Sequence, residues 1–146
     1  MEKLKLVKYN MIDLCERFAT FTYMDSETKF IACFREENWD WENPTIKEGT
    51  IIEANIVLQY ILDFQYRDSN EKLITVQSIE DSSHVEAIVK ITRCTEDKFE
   101  YWAKCNLFKS DILLNFERAV DCKVGDIIKI QGELAIENEK LGVFAS

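Results

Sequence analysis

Between Thr50 and Gln65 the chain changes character at nearly every residue. Ile52, Ala54, Ile56, Leu58, Tyr60, Leu62 and Phe64 take the even positions. Glu53, Asn55, Gln59, Asp63 and Gln65 take odd ones, with Val57 and Ile61 as the exceptions. Successive side chains of an extended backbone point to opposite faces, so this pattern fits a long strand with one face buried. Ile56, Tyr60, Ile61 and Phe64 would also share a helix face, but the sevenfold alternation and the β-branched content favour the strand, introduced by Gly49.

The same period recurs further on. Val85, Ala87, Val89 and Ile91 alternate with Glu86, Lys90 and Thr92. Phe99, Tyr101, Ala103, Cys105 and Leu107 alternate with Glu100, Lys104 and Asn106. The polar stretch Cys94–Lys98 between them has hairpin length, which predicts antiparallel pairing. Ile112, Leu114 and Phe116 form another run, Leu73–Ile79 a weaker one. Lys123-Val124-Gly125-Asp126 turns into Ile127–Leu134, where Ile128, Ile130 and Leu134 share a face. Near the N-terminus, Phe18–Tyr23 and Phe30–Phe34 flank Asp25–Lys29 as a hairpin would. Met11, Leu14, Cys15 and Phe18 follow helical spacing with Asn10 as a cap, so that stretch reads equally as a short helix or a strand.

The 146 residues suit one domain. The expected fold is mostly β, a single antiparallel barrel or a sandwich. Residues 1–48 would form an N-terminal extension, with a hairpin, an acidic tryptophan-bearing loop and room for a short helix; 49–146 would form the core. Val124-Gly125-Asp126 followed by alternation to Gly132 and Leu134 resembles the strand signature of OB-fold barrels, in which a glycine lets a strand coil sharply. That resemblance covers roughly the last hundred residues and implies about five strands with a face for an oligonucleotide, an oligosaccharide or a small ligand.

Charge argues against the nucleic-acid version. Lys and Arg total 18 against 27 Asp and Glu, a net charge of -9, whereas gripping a phosphate backbone needs a basic stripe. The basic cluster Lys3, Lys5 and Lys8 reads as the solvated side of a first strand. No apolar run reaches the roughly 20 residues of a membrane helix, and the N-terminal residues lack a secretory leader pattern. An odd number of cysteines (Cys15, Cys33, Cys94, Cys105, Cys122) with no Cys-x-x-Cys pair predicts free thiols, a cytoplasmic setting and no zinc clasp. No metal or other cofactor is expected.

Enzyme chemistry has one candidate base, His84, after Asp81-Ser82-Ser83. Neighbours in sequence do not make a triad, and a turn histidine is the plainer expectation. The carboxylate clusters sit in polar connectors, not paired across a cleft. The most informative segment is Glu36–Glu48, with five acids, one lysine, two tryptophans and the single proline. Trp39 and Trp41 would project to one side of an extended backbone, either capping the core or forming a recognition patch ringed by Glu36, Glu37, Asp40 and Glu42. Small, acidic, motif-free chains of this kind resemble the immunity proteins of bacterial toxin–immunity pairs. That likeness implies a non-enzymatic inhibitor that covers a basic protein partner, such as a nuclease toxin, through those six residues. The alternatives are an OB-type oligonucleotide- or small-ligand-binding module and an enzyme using His84.

Overall fold

The computed structural model describes residues 1–13, 16–24, 26–37 and 42–145. Their secondary structure is almost wholly extended. In chain order the strands are β1 (Glu2–Ile12), β2 (Arg17–Tyr23), β3 (Lys29–Glu36), β4 (Ile51–Ile61), β5 (Phe64–Arg67), β6 (Ile74–Val76), β7 (His84–Cys94), β8 (Glu100–Lys104), β9 (Ile112–Phe116), β10 (Ile127–Glu137) and β11 (Val143–Phe144). A single 3-10 turn, Glu139–Leu141, precedes β11. Among the described residues no helix is long and apolar enough to cross a membrane.

All the strands join one sheet of eleven. Its pairings trace a barrel-like ring of eight, β1–β2–β3–β10–β7–β8–β9–β4 and back to β1. Antiparallel pairing of β4 with β10, Leu134 opposite Leu58 through Glu137 opposite Asn55, divides the ring into two circuits of five strands. Most neighbours are antiparallel, as expected. Two pairings depart from that: β4 runs parallel to β9, and β3 parallel to β10 through Cys33 and Ala135. Both come from connections that cross between distant parts of the chain, which local alternation does not encode.

One continuous core fills the ring. Leu4 and Leu6 from β1, Phe21 from β2 and Phe34 from β3 share it with Leu58, Val89, Leu114 and Ile128. Residues 2–36 therefore supply three strands of the same sheet. The lysines of β1 face outward while Leu4 and Leu6 are buried, the solvated side their spacing predicts. Of the two readings of residues 11–18, the strand holds where the chain is described. Met11 and Ile12 end β1 opposite Phe18 and Arg17, and Asn10 lies inside the strand; Leu14 and Cys15 fall outside the described residues. Pairing with β2 satisfies the backbone there, which a short helix would forgo. The β2–β3 and β7–β8 hairpins form as expected.

The predicted strand over residues 50–65 breaks in two. Ile52, Ala54, Ile56 and Leu58 point into the core, but Tyr60 is 40% and Leu62 71% exposed, while Ile61 is fully buried. The cause is a bulge. Leu58 pairs with Leu134 and Phe64 with Ile130, so residues 59–63 face the shorter segment 131–133. Tyr60 takes up the excess with φ 59, in the left-handed region that a bulky side chain seldom occupies. Gly132 lies opposite, where a Cβ would stand 2.5 Å from the Gln59 carbonyl oxygen. A glycine at this point is expected from the sequence, and close approach of two backbones is what requires it.

Candidate functional site

Two features could carry function: the acidic connection after β3 and a groove beside the β4–β5 bulge.

The connection is anchored at its base. Glu36, the last residue of β3, is buried, and its carboxylate accepts from three donors. Arg17 Nε reaches Oε2 at 2.7 Å, and the amides of Thr45 and Ile46 reach Oε1 at 3.0 and 3.1 Å. One side chain thus joins the start of the connection to its far end. Tyr9 adds a second tie, donating its hydroxyl to the Ile46 carbonyl at 2.6 Å; burial, with Glu36 second, raises its phenol well above the ordinary range. The Glu37 amide donates to the Gly142 carbonyl at 2.7 Å, and Pro44 and Ile46 are buried.

The six residues expected at a partner surface therefore divide. Glu36 is interior and structural, because a carboxylate beside a buried guanidinium and two orphan amides is held where a partner does not reach it. Glu37 and Glu42 are exposed. Trp39, Asp40 and Trp41 lie outside the described residues.

The groove has a volume of about 560 Å³, within the range of small-molecule sites. Tyr60, Leu62 and Asp63 form one wall. Lys129, Gln131 and Glu133 of β10 form the other, with His84 at one end. Sequence reasoning missed this site, although Ile61, an exception to the alternation, marked the place where the strand changes phase.

His84 is not a turn residue. It begins β7, directly across from Glu133, and its amide donates to Ser82 Oγ at 3.0 Å. Pairing of β7 with β10 starts here and takes the residue into the sheet. Its Nδ1 is buried without a hydrogen-bond partner among the described residues. Nε2 is therefore the ring nitrogen left to make a hydrogen bond with a ligand.

Cys33 lies outside the groove lining, with Gln59 Nε2 3.4 Å from its sulfur, and burial pushes its thiol up to about 12. Glu133 accepts from Ser83 Oγ at 3.2 Å. The groove lining thus carries two carboxylates, Asp63 and Glu133, with the Lys129 ammonium and the His84 imidazole. Among the described residues no group of three or more His, Cys, Asp or Glu side chains is placed to hold a metal ion.

The chain matches no family model, and no curated protein or solved structure shows detectable similarity to it.

Proposed function

We propose that this protein acts by binding, as an acidic inhibitor or immunity-type protein that covers a basic protein partner, such as a nuclease toxin, in the cytoplasm. The observation that carries this reading is the Glu36 clamp. A buried ion pair and two backbone hydrogen bonds close the base of the connection that bears Trp39, Asp40 and Trp41, while Glu37 and Glu42 on its two arms are exposed. Loops closed at the base by their own side chains are frequent recognition elements, and ordering the arms in advance lowers the entropy cost of binding. The net charge of -9 favours encounter with a cationic surface. Glu36 belongs to this reading as the clamp, and Glu37, Trp39, Asp40, Trp41 and Glu42 as the contact residues.

The OB-like reading of the fold rests on the two five-strand circuits. A groove lined by one lysine, Lys129, and two carboxylates, Asp63 and Glu133, is a poor match to a phosphate backbone, which favours a protein partner over an oligonucleotide.

The test compares capture from native cells by the wild-type chain and by a Trp39→Ala/Trp41→Ala variant of unchanged melting temperature. A basic protein held by the wild type, released by roughly 0.5 M salt as a screened interaction should be, and bound about thirtyfold or more weakly by the variant supports the reading. A captured set identical for both proteins overturns it.

A further inference from the structure

The groove beside the β4–β5 bend holds two opposite charges that leave each other alone. Lys129 and Glu133 line it from the same side of β10. Four residues of strand separate them by about 13 Å at roughly 3.3 Å per residue, too far to pair directly. Among the described residues neither makes an ion pair. The third charge of the lining, Asp63, is already satisfied by Arg118 Nη2 at 3.1 Å and by the Phe64 amide at 2.9 Å.

What lies between the two charges has the chemistry of a peptide's partner. Gln65 stands across from Lys129 in the β5–β10 register with an amide group that can pair with a peptide bond. Gln131 lies midway; its Nε2 donates to Glu86 Oε1 at 2.9 Å, which leaves its carbonyl oxygen to accept from a peptide N–H. His84 faces Glu133, with Nε2 as the ring nitrogen left to meet a ligand. Tyr60 and Leu62 supply an exposed apolar wall.

We propose that this groove binds a short zwitterionic peptide of about three residues, a length that nearly spans the two charges at about 3.3 Å per residue. The peptide lies extended, its terminal carboxylate on Lys129 and its terminal ammonium on Glu133. An apolar central side chain rests against Tyr60 and Leu62. Gln65 and Gln131 bond its peptide groups, and His84 donates to the carbonyl nearest the amino end. This site is separate from the clamped connection and does not depend on the partner proposed for it.

The test is calorimetric titration of the full chain with Ala-Leu-Ala carrying free ends, an acetylated amino end or an amidated carboxyl end. The free peptide is expected to bind saturably, and either block to weaken it by about tenfold or more, as loss of a charge-assisted contact does. Glu133→Gln should remove the sensitivity to acetylation alone, and Lys129→Met the sensitivity to amidation alone. Lys129→Gln replaces Lys129→Met if the latter lowers the melting temperature. Absence of saturable binding at millimolar peptide overturns the proposal, as does equal binding of free and blocked peptides or unchanged sensitivity in both variants.

Discussion

Arg17 and Glu36 meet at 2.7 Å with each side chain only 4% exposed, and the contact lies where the acidic connection leaves the sheet. Removing one member of such a pair takes a close partner from the other's buried charge, at a cost of up to about 3–5 kcal/mol. Glu36→Ala should lower unfolding free energy by that amount in urea denaturation. Glu36→Gln keeps an acceptor for the Thr45 and Ile46 amides and should lose roughly half as much. A loss below about 1 kcal/mol for Glu36→Ala, the worth of a surface pair, would mean that the contact clamps nothing.

Gly132→Ala tests the close approach at the bulge. The added carbon would meet a backbone oxygen at 2.5 Å and the side chains of Leu58 and Ile61 at 3.2 Å. Main chain cannot swing aside as a side-chain tip can, so a destabilisation of about 3 kcal/mol is expected. Chemical denaturation measures it, and amide exchange should show the loss concentrated in β4 and β10.

Glu137 gives a pH signature. Burial raises its carboxyl above the ordinary value, with Glu139 and Glu100 adding like charge. A carboxyl raised in the native state binds protons more tightly there than in the unfolded chain. Its ionisation therefore removes stability as pH climbs from the unfolded value through the native one. Glu137→Gln should raise the melting temperature at pH 7 and leave it nearly unchanged below the normal carboxylate range. A gain of the same size at both ends of that range would refute the assignment.

The thiols should separate by environment. Burial pushes Cys33 up to about 12 and Cys122 to about 11, and raises Cys105 as well, whereas Cys94 is exposed. Only thiolate reacts with alkylating agents. Timed iodoacetamide labelling near pH 8, read by peptide mass spectrometry, should modify Cys94 well before these three. Early labelling of Cys33 would show that its surroundings open readily.

Several of these features were legible in the residues and others were not, for physical reasons. Val85, Ala87, Val89 and Ile91 are all interior, as their spacing says, because a strand's period depends only on its own backbone. Tyr60 and Leu62 were expected inside and are exposed, because a two-residue excess is absorbed between them and Gly132; the only local trace was Ile61 out of phase. Val57, the other exception, is buried in a second small cluster with Cys33 and Ala135 on the opposite face of the sheet. Glu36 looked like a surface acid among surface acids, since nothing in its neighbourhood betrays an arginine nineteen positions earlier. Sites assembled from four strands, like the groove, leave no contiguous signature. The acidic tryptophan segment does leave one, and its three central members, Trp39, Asp40 and Trp41, lie outside the described residues.

The parallel contact between Cys33 and Ala135 has a consequence for how the protein is made. The outer edge of β3 at that point is met by a strand that leaves the ribosome about a hundred residues later. Until then the N-terminal hairpin carries an unsatisfied margin, a template for mispairing with any neighbouring extended chain. Two strands share the task of covering it, β10 at Cys33 and β11 at Arg35 and Glu36, so the hairpin stays exposed to mispairing until both have emerged.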